Sequence, residues 1–130
     1  MSQSKLTDKE RRVEERSTAR YVVTLKDEAG VVIPLSALTT LTLTLYDVYT
    51  NTVINSRNDQ DVKNTNNVVY TEAGVLTWTL QPTDNVIVTS DVRTNGYEDH
   101  IALFEYTWSS GSKAGKHELE IFVRQINKVT

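Results

Sequence analysis

Imidazole is a common zinc ligand and the side chain that titrates nearest neutral pH, so chemistry in this chain is sought first at its two histidines, His100 and His117. They lie in a C-terminal third where Ala102, Phe104, Tyr106 and Trp108 alternate along one stretch and His117, Leu119, Ile121 and Val123 along the next. Read as a hairpin whose facing residues add up to 225, the two stretches set Phe104 opposite Ile121, Tyr106 opposite Leu119 and Trp108 opposite His117. His100 then falls beside Arg124, roughly 20 Å or more from His117 at ~3.4 Å per strand residue. A metal ion shared by the two is not expected. His117 is expected to pack as a neutral ring with one nitrogen satisfied, and His100, next to Glu98 and Asp99, to bond a carboxylate nearby.

The remaining polar groups form no reactive constellation. Asn58, Asp59 and Asp61 suggest calcium by their oxygens but lack the central glycine and distal glutamate of a helix-loop-helix calcium loop, so a hydrated loop is expected. Glu118 and Glu120 alternate with Leu119 and Ile121, which turns both carboxylates outward, away from any burial that would split their pKa values. Gly111-Ser112 sits in the hairpin loop and there is no Gly-x-Ser-x-Gly elbow. No glycine-rich phosphate cradle and no Gly-Lys-Ser/Thr is present. The absence of cysteine removes thiolate nucleophiles, cysteine-based metal sites and disulfides together. No catalytic, cofactor-binding or metal-ligating residue is assigned, no cofactor is expected, and the chain is read as non-enzymatic.

Bulk properties agree. A formal charge of -3, from 14 basic and 17 acidic side chains, gives no general attraction to a nucleic-acid backbone, and Arg57 and Lys63 are hemmed in by acidic and amide residues. The apolar runs fall far short of the roughly 20 residues that span a bilayer. The charged start MSQSKLTDKERR does not read as a signal peptide. No nucleic-acid or membrane partner is expected.

The elements that would position these groups are strands. The chain holds 18 threonines and 16 valines, β-branched residues that stiffen at χ1 in a helix and pack well on a pleated surface. Tyr21, Val23 and Leu25 share one face of a first strand, ended by Asp27-Glu28-Ala29-Gly30. Val31–Ile33 resumes a short strand that Pro34 stops. Leu41, Leu43 and Leu45 alternate with Thr42, Thr44 and Tyr46, and Leu76, Trp78 and Leu80 with Val75, Thr77 and Thr79; both stretches place large apolar side chains in a core. Val53-Ile54, Val68–Tyr70 and Val86–Val88 are further short strands. Residues 55–67, rich in asparagine and aspartate, read as a long surface excursion with at most one irregular edge strand.

Residues 1–18 mix five cations with four carboxylates and carry only Leu6 and Val13 as sizeable apolar residues after Met1. They are read as an arm, frayed or ordered on a neighbouring subunit, preceding a β domain over residues 19–130. About seven strands with turn signals between them suggest an antiparallel sandwich; a barrel buries one face of every strand in the same way and stays open at this point. Phe122 and Leu103 face away from the core positions and would form an exposed apolar patch if that side of the sheet meets water.

Taken together, VTLKDEAGVVIPLSAL (23–38), LTLTLYDVYTNTVINSRNDQDVKNTN (41–66), GVLTWTLQPTDN (74–85) and EDHIALFEYTWSSGSKAGKHELEIFVRQI (98–126) resemble a family of small tailed-bacteriophage virion proteins with an immunoglobulin-like sandwich. The resemblance implies an all-β, immunoglobulin-like antiparallel β-sandwich. It also implies a structural component present in many copies on a virion assembled in the host cytoplasm, at the neck or head-to-tail connector, as capsid decoration, or on the tail. Partners would be other virion proteins and copies of the chain itself, met through the N-terminal arm, the 55–67 and 109–116 loops and the sheet edges. The rival expectation is a carbohydrate-binding module in which Tyr46, Tyr49, Tyr70 and Tyr97 supply exposed rings for stacking on sugar.

Overall fold

The computed structural model describes residues 4–6, 11–88 and 96–125. Its strands are β1 (Ser4–Leu6), β2 (Arg12–Glu14), β3 (Ala19–Thr24), β4 (Leu38–Asp47), β5 (Gln60–Asp61), β6 (Val68–Tyr70), β7 (Val75–Leu80), β8 (Tyr97–Trp108) and β9 (Lys113–Arg124). One sheet has the order β1-β3-β7-β6 and the other β2-β9-β8-β4-β5. Two sheets with separate edges make a sandwich and not a closed barrel. With β3 as strand B, the first sheet reads A-B-E-D and the second carries G-F-C-C′, the strand order of an immunoglobulin domain, with β1 parallel to β3 where strand A is otherwise antiparallel.

Period-two alternation produces the core as expected. Leu41, Leu43 and Leu45 on β4 and Leu76, Trp78 and Leu80 on β7 are fully buried, as are Ala102 and Phe104 on β8. Trp78 meets Phe104 of the facing sheet edge-on, with ring centroids 5.6 Å apart and planes at 80°. That geometry sets the positive edge of one ring against the negative face of the other, and it links the layers in a chain without disulfides.

The β8–β9 hairpin keeps the expected parity and shifts in register. Phe104 faces His117, Tyr106 faces Gly115 and Trp108 faces Lys113, so partners add up to 221 and not 225. The odd sum keeps Leu119, Ile121 and Val123 inside. The offset arises because residues 113–116 extend the strand instead of the loop. The turn is only Ser109–Ser112, with Ser109, Ser110 and Gly111 at φ of 56°, 55° and 85°. Gly115 belongs to the strand because the Tyr106 ring lies across it: a Cβ there would stand 2.7 Å from Tyr106 Cε2. Tyr106 in turn stacks on Trp108 at 5.8 Å.

Three short strands expected from sequence are lesser features. Val32 makes one bridge to Lys26 and Val53 one bridge to Tyr46, while residues 86–88 form no strand.

The largest correction concerns residues 1–18, expected to stand off as an arm. Residues 1–3 and 7–10 lie outside the described residues, but β1 pairs in parallel with β3 and β2 in parallel with β9. Backbone bonding, which apolar counting does not register, holds β2: Phe122 N–H donates to Arg11 O at 2.8 Å and Glu15 N–H to Arg124 O at 3.0 Å. Val13, one of the two apolar residues of that stretch, is 2% exposed. The sandwich therefore extends N-terminal of Ala19.

Replacing Gly115 by alanine is expected to destabilise the domain by roughly 1–3 kcal/mol, the usual cost of overpacking against a held side chain. A Gly115→Ala denaturation midpoint equal to wild type would show that the Tyr106 ring is free to move aside.

Candidate functional site

Three places bring polar chemistry or exposed apolar surface together: the 55–67 excursion, a buried triad at one end of β4 and β8, and the outer faces.

The excursion is rich in asparagine because its backbone repeatedly turns left-handed. Asn55, Ser56, Asp59, Asn64, Asn66 and Asn67 all have φ between 50° and 74°, a region that asparagine and aspartate tolerate better than other side-chain-bearing residues. It was expected to be a hydrated loop, yet Ile54, Arg57 and Val62 are buried. The Arg57 guanidinium lies 5.7 Å from the Trp78 ring centroid, and its donors are fully used. Nε and Nη2 grip Asp84 Oδ1 and Oδ2 at 2.6 and 3.1 Å. Nη1 donates to Gln60 Oε1 and Asn66 O, and Nη2 also to Asn67 Oδ1. Asp84 is saturated as well, since Asn55 Nδ2 and the Gln81 amide supply its other two bonds. A buried guanidinium has five donors to place; Asp84 accepts two and the segment itself three.

Held this way, the excursion closes two sheet edges. It supplies β5 at the edge of one sheet, where Asn66 Nδ2 takes Asp61 O at 2.8 Å. At the edge of the other, the Val68 and Tyr70 amides donate to Thr65 O and Asn64 Oδ1 at 3.1 and 2.7 Å. The Asp61 carbonyl and the Val68 and Tyr70 amides are thereby occupied and cannot bond a foreign strand.

The triad comes from strand ends. Asp47, the last residue of β4, is directly opposite His100 of β8, and Glu98 is two residues before His100 on the same face. All three are buried, at 1%, 0% and 2% exposure. His100 Nε2 and Glu98 Oε1 are 2.7 Å apart, the local carboxylate bond expected from sequence. Glu98 Oε1 also accepts the Val88 amide at 2.9 Å. Asp47 Oδ2 accepts the Thr50 amide and hydroxyl at 2.9 and 2.7 Å. Asp47 Oδ1 and His100 Nδ1, both buried, have no hydrogen-bond partner. One ligand atom from each of the three residues lies within 4.8 Å of the others.

His117 does not join them. It stands four ladder positions from the residue facing His100, roughly 13 Å at ~3.3 Å per residue. Its Nε2 pairs with the Tyr21 hydroxyl at 2.6 Å and its ring stacks on Tyr21.

On the outer faces, the expected Phe122 and Leu103 patch is only half exposed. The Arg11 guanidinium covers Phe122 at 5.6 Å and reaches Glu120 at 3.9 Å. The more exposed apolar row crosses the opposite sheet, where Val22 and Val69 both flank Thr77 in register and are 38% and 57% exposed. A second exposed group, Val48, Tyr49 and Val53, caps the β4 end of the sandwich. A shallow open depression of about 430 Å³ is lined by Arg12, Val13, Glu14, Tyr97 and Arg124. Its charges are engaged within it, Arg124 with Glu14 and Arg12 over Tyr97.

The four tyrosines proposed for sugar stacking are dispersed. Tyr49 is exposed, Tyr46 and Tyr97 are half-buried, and Tyr70 is inside with its hydroxyl donating to Ile33 O at 2.5 Å. No protein-family model and no curated protein sequence matches this chain.

Two of these features escaped the sequence reading for different reasons. Asp47 was legible by parity: it continues the inward series Leu41, Leu43, Leu45, as Glu98 and His100 continue the inward series of Ala102 and Phe104. Arg57 carries no such signal, because a lone arginine among asparagines reads as solvated.

Burial pushes the Tyr70 phenol up to about 12, with Tyr106 adding to the shift, whereas an unfolded tyrosine ionises near 10. The folded value is the higher, so this contribution to stability is complete below pH 10 and is lost as pH rises from about 10 through about 12. The denaturation midpoint is expected to be level up to pH ~9.5 and to fall above 10. Tyr70→Phe should flatten that fall, and an equally steep fall in the variant would assign it elsewhere.

Proposed function

We propose that this chain is a non-enzymatic structural component of a tailed-bacteriophage virion, assembling in multiple copies at the neck or head-to-tail connector or as capsid decoration. The ordered resemblance of residues 23–126 to small sandwich proteins of phage particles supports this identity. The structural observation that carries the assembly reading is the exposed Val22-Thr77-Val69 row, which runs across three strands of one sheet. Exposed, uncharged β-branched side chains in register form a flat surface that another protein surface can cover without desolvating charge.

The expected contact regions change place in this proposal. The N-terminal segment and residues 55–67 pack against the sandwich itself, leaving the β3-β7-β6 face, the Val48, Tyr49 and Val53 tip and the edge of β9 over residues 113–121 as the proposed contacts. A subunit in a ring presents two different surfaces to its two neighbours, and the face and the tip are two such surfaces at separate parts of the domain.

The test is incorporation into particles. Purified virions from a phage carrying the tagged gene are expected to contain the chain in multiple copies. A Val22→Lys/Val69→Lys variant with unchanged circular dichroism should be incorporated at least tenfold less. Particles that lack the wild-type chain while the lysate holds it as a folded monomer would overturn the proposal.

A further inference from the structure

We infer that two copies of this chain pair antiparallel through residues 113–121 of β9, with Lys116 of each opposite Glu118 of the partner subunit, so that two five-stranded sheets join into one. The contact is two-fold and closes on itself. It is tested on the purified chain, so it stands or falls apart from the virion reading.

The starting point is an edge left open. Beyond β9 its sheet holds only β2, which pairs with Phe122, Val123 and Arg124. Phe122 N–H donates to Arg11 O, and Arg124 O accepts from Glu15 N–H, so even-numbered residues of β9 turn their backbone groups away from β8. The β8–β9 ladder runs from Lys113 to Arg124 without a shift, which carries that parity back along the strand. Ala114, Lys116, Glu118 and Glu120 therefore present both N–H and C=O outward, and no described residue bonds to those groups. A row of free backbone donors and acceptors is a template for another strand.

Charge and length select the same register. Outward residues must meet outward residues if each pair is to exchange two hydrogen bonds, so facing numbers are both even. Pairing centred on Lys116 sets that lysine against itself, and pairing centred on Glu118 sets that carboxylate against itself; like charges directly opposite are destabilising. Pairing centred on His117 instead puts Lys116 opposite Glu118 on both sides of the two-fold axis, and Ala114 opposite Glu120. His117 is also the midpoint of residues 113–121. The whole open edge is then used, and the partner strand starts, after its own 109–112 turn, where β2 leaves off at Phe122.

The side chains fit this pairing. Ala114, Lys116 and Glu118 are exposed on the outer face. Lys116 reaches Glu105 at 3.6 Å with its side chain still 69% exposed, and Glu118 makes no ion pair among the described residues. Charges along an edge deter strands of unmatched pattern, and these complement a second copy. On the inner face Gly115 comes opposite Leu119, and each His117 ring is held against Tyr21 of its own chain. One strand pair makes a small interface, at the weak end of specific association.

The experiment is sedimentation equilibrium of the full chain. Expected is a reversible monomer–dimer equilibrium with Kd on the order of 10–100 µM. Lys116→Glu and Glu118→Lys each create like-charge clashes at both symmetry-related positions, and each should weaken the dimer at least tenfold with circular dichroism unchanged. Mixed in equal amounts, the two variants should form a heterodimer about as stable as wild type, because each lysine again meets a glutamate. Glu118→Pro removes an outward N–H that β8 does not use, and should abolish the dimer while the monomer stays folded. The charge exchange decides the matter even if the proline variant fails to fold. The inference is overturned if the wild-type chain stays monomeric up to about 1 mM, if the mixed variants do not regain the dimer, or if the dimer survives in folded Glu118→Pro. A dimer lost in Val22→Lys/Val69→Lys but kept in the charge variants would move the contact to the β3-β7-β6 face and overturn it as well.

Discussion

The bidentate bond between Arg57 and Asp84 is the interaction on which the closure of this sandwich depends. Asp84 sits in the short turn Pro82–Asn85 that follows β7, and through Arg57 it holds the whole 55–67 segment against the end of the core. Its neighbour Asn85 does the same for the N-terminal segment: its side-chain amide donates to Ser17 O at 2.8 Å and its carbonyl accepts the Arg16 amide at 2.7 Å. Two consecutive residues thus anchor the two stretches of chain that line the sheet edges. A buried ion pair is not stabilising by virtue of its charges alone, because desolvation offsets most of the attraction. The observed path of residues 55–67 satisfies all five donors of Arg57 together with Asp84.

This arrangement redirects the functional reading. An immunoglobulin-type domain with open edges could add strands to a partner, and sequence alone pointed to edges, arm and loops as contact regions. β5 and the Asn64 and Thr65 caps occupy part of the edges on one side, and β1 and β2 cover residues 19–21 of β3 and 122–124 of β9 on the other, which leaves residues 113–121 of β9 as an open edge. Exposed apolar surface includes a sheet face of threonine and valine and a loop tip bearing Tyr49. Surfaces of that kind serve packing between preformed subunits better than strand exchange.

The parts legible in sequence were those controlled by local period. Leu41, Leu43, Leu45, Leu76, Trp78 and Leu80 point inward because a half-buried strand must alternate, and the same rule fixed the odd parity of the β8–β9 hairpin. Its register was off by four because turn length depends on a non-local contact, Tyr106 lying across Gly115, which made a loop-like glycine a strand residue. β2 escaped notice because parallel backbone pairing needs no apolar pattern. The excursion was misjudged as hydrated because the apolar residues buried with it, Ile54 and Val62, are few, and its chief buried side chain is charged. Asp47 shows the opposite case: its inward parity was visible, and its meeting with His100 required the β4–β8 register.

The account stands or falls on whether Arg57 closes both sheets at once. Amide hydrogen exchange of an Arg57→Lys variant measures this, since lysine keeps the charge but lacks the planar fork that grips Asp84 and reaches Gln60, Asn66 and Asn67 together. The account predicts that Val62, beside the edge of one sheet, and Val68 and Tyr70, on the edge of the other, lose protection together while the β8–β9 hairpin keeps it. Loss confined to one sheet, or none at either, would contradict it.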